Sequence, residues 1–254
     1  MLVQERYEQI LDLIEKNGSV KVSMLVKLFN VSIETVRRDL EYLEKEGHLK
    51  RIYGGAVLEK VSEKQFTFQT REKEYIDEKK EIVNIAVRFV KEGQSIAMDA
   101  STTNLEIAKV IKKKFERLTI ITNSLIIASE LSDMNKYTII LTGGILKGDQ
   151  LSLVGNIAEN NIGDFNVDIA FISVSGVSLH AGLTDQYLDE LMIQKKMVEI
   201  AQNIIVLADS SKFDVVCLQK ISDLDKINMI ITDSKLKDSI LEKYLKNGIE
   251  VINQ

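Results

Sequence analysis

A chain of 254 residues, 45% hydrophobic and 28% charged, is long enough for one large domain or two unequal ones with a packed core. No apolar run approaches the ~20 residues of a membrane span. Met1–Glu15 carries Gln4, Glu5, Arg6 and Glu8 among its apolar residues, unlike a signal peptide. The single cysteine, Cys217, rules out an intrachain disulfide framework, so a cytoplasmic protein is expected, with Cys217 as a plain buried residue. Two histidines and one cysteine argue against a metal site, and no cofactor is expected. The formal net charge of −5 does not point to nucleic acid. Residues 1–58 do not either: they hold nine basic side chains (five Lys, four Arg) against nine acidic ones (two Asp, seven Glu). If the chain binds DNA, the arrangement of residues must show it.

The first predicted helix has Tyr7, Ile10, Leu11 and Ile14 on one face and ends at Asn17-Gly18. Ser23 is a candidate cap for a short second helix with Leu25, Leu28 and Phe29 facing inward. Asn30-Val31-Ser32 forms a tight turn, Ser32 caps a third helix, and Gly47 stops it. In this helix Ile33, Val36, Leu40 and Leu43 fall in one sector about 80° wide. The opposite side presents Thr35, Arg38, Tyr42 and Lys45, so Thr35 and Arg38 would meet base edges, where a recognition helix reads DNA. Arg37 flanks the core seam and suits a phosphate. A plainer alternative makes Glu34–Arg38 and Arg37–Glu41 ordinary surface ion pairs. The next segment weighs against it. Residues 48–52 read as a strand, Tyr53-Gly54-Gly55 as a turn and residues 56–58 as a return strand. Such a wing lays Lys50, Arg51 and Tyr53 along the DNA backbone, which positions the helix while base contacts specify the sequence.

A polar stretch, residues 59–76, reads as a linker that becomes helical near Asp77. From 77 to 254 apolar strand-like runs (95–99, 118–122, 137–142, 167–173, 203–208, 229–232) alternate with amphipathic helices such as 105–115 and 186–202. The fold class is therefore an α+β winged helix-turn-helix over 1–58, followed by an α/β domain with a mainly parallel sheet. Ligands of such sheets bind beyond the carboxyl ends of the strands. Polar loops recur there: Asp99–Asn104, Thr122-Asn123-Ser124, Thr142-Gly143-Gly144, residues 173–176 and Asp209-Ser210-Ser211-Lys212. Any one of them could simply cap a helix. Together they suit a polyhydroxy, phosphorylated ligand, with phosphate at the free amides and hydroxyls of Ser101, Thr102 and Thr103. Asp99 would accept sugar hydroxyls, and Lys212 would add charge.

The string from Val31 to Leu43 (Val-Ser-Ile-Glu-Thr-Val-Arg-Arg-Asp-Leu-Glu-Tyr-Leu), followed by Gly47 to Ala56, closely resembles the DeoR family of bacterial transcription regulators. The resemblance implies contacts to double-stranded operator DNA from Ser32, Thr35, Arg37 and Arg38. Tyr53 stands where the family often has His. The resemblance extends over Asp99–Thr103, Thr122–Ser124, Gly143-Gly144 and Asp209–Phe213. It implies a second domain similar in fold to ribose-5-phosphate isomerase that senses sugar phosphates or related intermediates, with Asp99, Ser101, Thr102, Thr103, Asn123, Gly143, Gly144 and Lys212 as effector residues. One departure is Gln194, four residues after Glu190, where the family often has Lys. Repression of a carbohydrate operon relieved by an inducer is the expectation by analogy, in a homodimer or homotetramer that pairs two recognition helices. The competing function is a sugar-phosphate isomerase with Asp99, Asp168, Asp209 or Glu190 as base and Lys212 as electrophile. No nucleophile–His or paired acid/base arrangement favours it, and an enzyme has no need of residues 1–58.

Overall fold

The computed structural model describes residues 3–17, 19–46, 48–52, 54–58 and 67–254. They fall into two compact units, Met1–Thr67 and Phe68–Gln254.

In the first unit, α1 (Val3–Asn17), α2 (Val22–Phe29) and α3 (Ile33–Lys45) pack against a three-stranded antiparallel sheet. Its order is β1–β3–β2, with β1 at Ser19–Lys21, β2 at Leu49–Ile52 and β3 at Gly55–Leu58. The expected two-stranded wing is present as β2 and β3. The third strand, β1, is too short to show a period of two. Gly55 permits this strand pairing, because a Cβ there would meet the Val20 carbonyl oxygen at 2.1 Å. Ile10, Ile14, Leu25, Phe29, Val36, Leu40, Leu43 and Leu49 form the core. Two expectations fail. Ile33 is 48% exposed and Leu28 51% exposed. The buried sector of α3 is centred on Val36, Asp39, Leu40 and Leu43, which leaves Ile33 in the first turn at its rim. In the eight-residue α2 only the stripe through Leu25 and Phe29 is buried. That helix also begins at Val22 with Lys21 as N-cap, so Ser23 caps nothing. Asn30 adopts the left-handed conformation (φ 51°) that turns the chain into α3.

The second unit is built on a seven-stranded, wholly parallel sheet of order β15–β14–β12–β9–β4–β5–β6. The strands are β4 (Ser95–Met98), β5 (Thr119–Thr122), β6 (Thr138–Leu141), β9 (Val167–Ser173), β12 (Ala201–Leu207), β14 (Met229–Ile231) and β15 (Val251–Ile252). Their continuous apolar runs serve two faces. Ala97, Ala170, Ile172 and Val206 join one buried cluster, while Ile96, Met98, Phe171 and Ile205 join the other. The helices are α4 (Phe68–Lys73), α5 (Ile76–Ala86), α6 (Thr102–Lys114), α7 (Leu125–Leu131), α8 (Asn156–Gly163), α9 (Leu191–Ile200) and α10 (Asp238–Lys246). Helix α4 lies inside the stretch read as linker. Helix α9 starts five residues later than the sequence period suggests. Asp185 Oδ1 accepts the peptide N–H groups of Gln186 (2.6 Å) and Tyr187 (3.2 Å) and holds that segment in a turn. Two small sheets were not legible in the sequence: the hairpin β7–β8 (Ile145–Lys147, Ser152–Val154), and β10, β11 and β13 (Gly176–Ser178, Gly182–Asp185, Gln219–Ser222).

Candidate functional site

The side of the first unit expected to face DNA is set by α3. Ser32 caps the helix start by accepting the Thr35 peptide N–H at 3.1 Å, and the Ser32 and Thr35 hydroxyls lie 2.9 Å apart. Arg37 is exposed and paired with Glu34 at 2.9 Å, rather than with Glu41. Arg38 is exposed and forms no hydrogen bond or ion pair among the described residues, which leaves its guanidinium available to a partner. Arg51 is held by Glu44, which accepts its Nε at 2.6 Å and its peptide N–H at 2.8 Å. Ile33, Arg37, Glu44, Arg51, Gly54 and Gly55 line one groove between α3 and the wing. The Lys50 side chain and Tyr53 lie outside the described residues. A functional residue missed in the sequence is Asp39. It borders the core sector of α3, three residues after Val36, and takes a bidentate ion pair from Arg6 on α1 (2.7 and 3.0 Å), with both side chains buried. This pair fixes the angle at which α3 is presented.

In the second unit the loops after β4, β5, β9 and β12 follow the carboxyl ends of the strands. Ser101 caps α6 by accepting the Asn104 N–H at 3.1 Å. Thr102 and Thr103 are buried, and their peptide N–H groups open the helix without an acceptor, as the first N–H groups of a helix are. Asp99 is buried beside them. Its Oδ1 accepts Asn104 Nδ2 at 2.7 Å, and its Oδ2 accepts the Ser173 N–H at 2.8 Å and Gln194 Nε2 at 3.3 Å. The Gln194 amide also donates to the Ser173 carbonyl (2.9 Å) and to Asp185 (3.3 Å). All three partners are acceptors, so this nitrogen is correctly placed and the oxygen beside it, Oε1, is buried with no partner. Glu190, at the N-cap of α9, accepts the Ser152 hydroxyl at 2.7 Å. Asp99 and Asp185 are thus two buried carboxylates on one amide, and Glu190 is a third buried carboxylate close enough for their charges to act on it. Burial pushes Asp99 up to about 6 and Glu190 up to about 7. Lys79 on α5 is buried, donates to the carbonyls of Arg71 and Glu74, and is pushed down to about 8 by burial and then by Arg71.

Not every expected effector residue joins this cluster. Asn123 is buried and uses its amide N–H to hold the Leu153 carbonyl (3.2 Å), leaving its Oδ1 unpartnered. Gly143 and Gly144 turn the chain from β6 to β7 at positive φ (69° and 111°). A Cβ on Gly144 would meet the Val154 carbonyl oxygen at 2.6 Å, so these glycines are explained by the turn. Lys212 lies 4.0 Å from Asp209, with its ammonium 5.7 Å from the Tyr75 ring. Asp168, a candidate base, accepts the Ser95 N–H and hydroxyl at the opposite, amino ends of the strands and is lowered by those bonds. Cys217 is half-buried rather than fully buried. Among the described residues no group of His, Cys, Asp and Glu has a metal-binding arrangement, and no helix is long and apolar enough to cross a membrane.

A winged helix-turn-helix joined to an α/β unit with a polar strand-edge site defines a transcription regulator with separate DNA-binding and sensor units. Residues 6–61 match the DeoR-like helix-turn-helix domain and residues 74–234 the DeoR C-terminal sensor domain. The chain belongs to the DeoR family. Relatives that it matches over nearly their full length include the uncharacterized HTH-type transcriptional regulator YulB of Bacillus subtilis, 39% identical over 99% of this chain and 96% of the relative. Two others are the putative aga operon transcriptional repressor of Escherichia coli O157:H7 (34%; 98% and 93%) and the HTH-type transcriptional repressor GlcR of Bacillus subtilis (32%; 99% and 96%). Among solved structures, ribose 5-phosphate isomerase A from Methanocaldococcus jannaschii aligns with 54% of each chain at 17% identity and a TM-score of 0.40.

Proposed function

We propose that this regulator represses an operon for carbohydrate use and leaves its operator when a phosphorylated sugar fills the strand-edge site. The observation that carries this reading is the polarity of that site. At one end, the free N–H groups of Thr102 and Thr103 and the hydroxyls of Ser101, Thr102 and Thr103 suit a phosphate. At the other, the bare Gln194 Oε1 and the carboxylates Asp99, Asp185 and Glu190 accept hydrogen bonds, as sugar hydroxyls require. Relatives named as a putative aga operon transcriptional repressor and as the transcriptional repressor GlcR support a repressor, and one named an L-fucose operon activator supports a carbohydrate operon. On DNA, Arg38 and Thr35 read base edges, while Ser32, Arg37, Lys50, Arg51 and Tyr53 hold the backbone. The protein works in the cytoplasm as a homodimer or homotetramer, and it binds its sugar without turning it over. Asn123 and Lys212 border the ligand and orient it.

Thermal-shift and operator-anisotropy titrations with pentose and hexose phosphates test the site. A hydrogen bond to a charged group contributes roughly 1.5–3 kcal/mol, so Thr102→Val with Thr103→Val lowers effector affinity at least about tenfold. Operator binding without effector persists, and the variant stays on DNA when the sugar phosphate is added. Equal stabilisation of wild type and double variant by the same ligand would place the phosphate elsewhere. Turnover of ribose 5-phosphate or a hexose 6-phosphate by the wild type would refute the non-catalytic role.

A further inference from the structure

Two buried amides converge on Asp99, and each presents an oxygen with no partner. Asn104 donates its side-chain nitrogen to the Asp99 carboxylate at 2.7 Å and to the Phe171 carbonyl at 2.9 Å, which leaves its Oδ1 buried and unpartnered. Gln194, only 3% exposed, donates its nitrogen to Asp99, Asp185 and the Ser173 carbonyl and leaves Oε1 in the same state. Turning either amide over would set oxygen against oxygen, so both acceptors stand as they are. Glu190 lies four residues before Gln194, on the same side of α9. It gives Oε1 to the Ser152 hydroxyl, and its Oε2 takes no hydrogen bond among the described residues. The open hydrogen-bonding capacity of these three side chains is therefore all acceptor.

Charge runs the same way. Asp99 is held by Asn104, Gln194 and the Ser173 peptide, and Asp185 by the Ser175 hydroxyl and the Gln186 and Tyr187 peptides, all neutral groups. Among the described residues neither they nor Glu190 forms an ion pair. The charge of Arg71 acts on Glu190, but its guanidinium donates to Gln150. Lys79 donates to backbone carbonyls. Buried carboxylates without a counter-cation are costly, and the free site meets that cost by holding on to protons, as the raised Asp99 and Glu190 show. A hydroxyl answers this site in part: it donates one hydrogen and brings lone pairs of its own. A protonated primary amine brings three N–H donors, no acceptor and a positive charge.

We infer that the effector is an amino sugar phosphate whose ammonium is taken by Glu190, Gln194 and Asp99, and that Gln194 is the residue that selects it over a neutral sugar. The inference rests on reading the strand-edge cluster as the effector site, with the phosphate at Thr102 and Thr103. Gln194 decides the choice because its nitrogen satisfies Asp99 and Asp185 without neutralising either one. A lysine at this position would supply the cation from the protein and exclude that of the ligand.

The experiment uses the full chain and the 6-phosphates of glucosamine, galactosamine and mannosamine. Each is compared at pH 7 with its parent hexose 6-phosphate and its N-acetyl derivative, which carry no amine charge. Titration calorimetry gives the affinities, and operator anisotropy gives the release of DNA. The wild type binds at least one amine member at least tenfold more tightly than its parent and its N-acetyl form, and that member releases the operator at the lowest concentration. Gln194→Lys reverses the order, so that the neutral parent binds more tightly than the amine. Glu190→Gln, which keeps the acceptor for Ser152 and loses the charge, reduces the preference for the amine at least tenfold while the affinity for the parent changes little. Equal affinity of amine and parent in the wild type overturns the inference. So does a preference that neither Gln194→Lys nor Glu190→Gln alters. If Thr102→Val with Thr103→Val then weakens amine and parent alike, the effector site stands and the choice of ligand class alone falls. If the wild type binds none of the probes, the effector-site reading fails and takes the inference with it.

Discussion

Replacing Glu190 by Gln should stabilise the sensor unit by an amount that grows as pH rises from 4.5 to about 7 and is constant above. The Glu190 carboxyl is buried beside Asp99 and Asp185, and its folded-state value stands near 7 against an ordinary 4.5, with burial as the main cause. The sign follows from proton uptake. Between pH 4.5 and about 7 the folded unit holds this proton and the unfolded chain does not, so stability falls as pH rises through that window. A gap of that size corresponds to about 3 kcal/mol at 1.36 kcal/mol per pH unit. Gln keeps a carbonyl oxygen for the Ser152 hydroxyl and carries no charge to desolvate. Wild type and Glu190→Gln should therefore melt together near pH 4.5. By pH 8 the variant should melt about 6–12 °C higher, taking 2–4 °C per kcal/mol for a unit of this size. Calorimetry following the sensor transition at pH 4.5, 6, 7 and 8 is the assay. An offset equal at every pH would mean that packing, and not charge burial, separates the two proteins. Asp99→Asn is the contrasting case. Both Asp99 oxygens accept N–H groups, so an amide there opposes donor to donor, and this variant loses stability at every pH.

Arg38→Ala should weaken operator binding by about 1–3 kcal/mol, and Lys50→Ala should weaken binding to all sequences and reduce the salt slope by about 1. An unchanged operator affinity at fixed salt for Arg38→Ala would displace α3 as the reading element. Asp39→Ala leaves Arg6 buried and unpaired and should cost the first unit about 3 kcal/mol, with the sensor transition unchanged. Equal melting of wild type and variant in the first unit would show that the pair contributes nothing. Sedimentation of the free protein and of its operator complex should give a dimer or tetramer, and a monomer in both would remove the paired-half-site arrangement.

Much of this molecule follows from local sequence. Helix-period and strand-period runs determine the recognition helix, the wing and six of the seven strands of the parallel sheet, because burial on one or both faces writes its period directly into the order of apolar residues. The loop Asp99–Asn104 was legible as well, since hydroxyl-bearing residues after an apolar run mark a capped helix at a strand end. Tertiary structure decided what periodicity does not encode. Ile33 and Leu28 are apolar yet exposed, because a small unit buries only a narrow stripe of each helix. Asp39 is charged yet buried, because Arg6, 33 residues away, neutralises it. Strands β1, β7, β8 and β10 have three residues, too few to carry a period, and β11 and β13 mix polar with apolar residues and form no continuous apolar run. The acidic cluster joins Asp99, Ser152, Asp185, Glu190 and Gln194 from different elements, and α4 adds Arg71 from a stretch that looked like linker. Each of these residues is ordinary in its own neighbourhood, and their chemistry arises only where folding removes water from groups distant in the chain and leaves each to find its partner in another element.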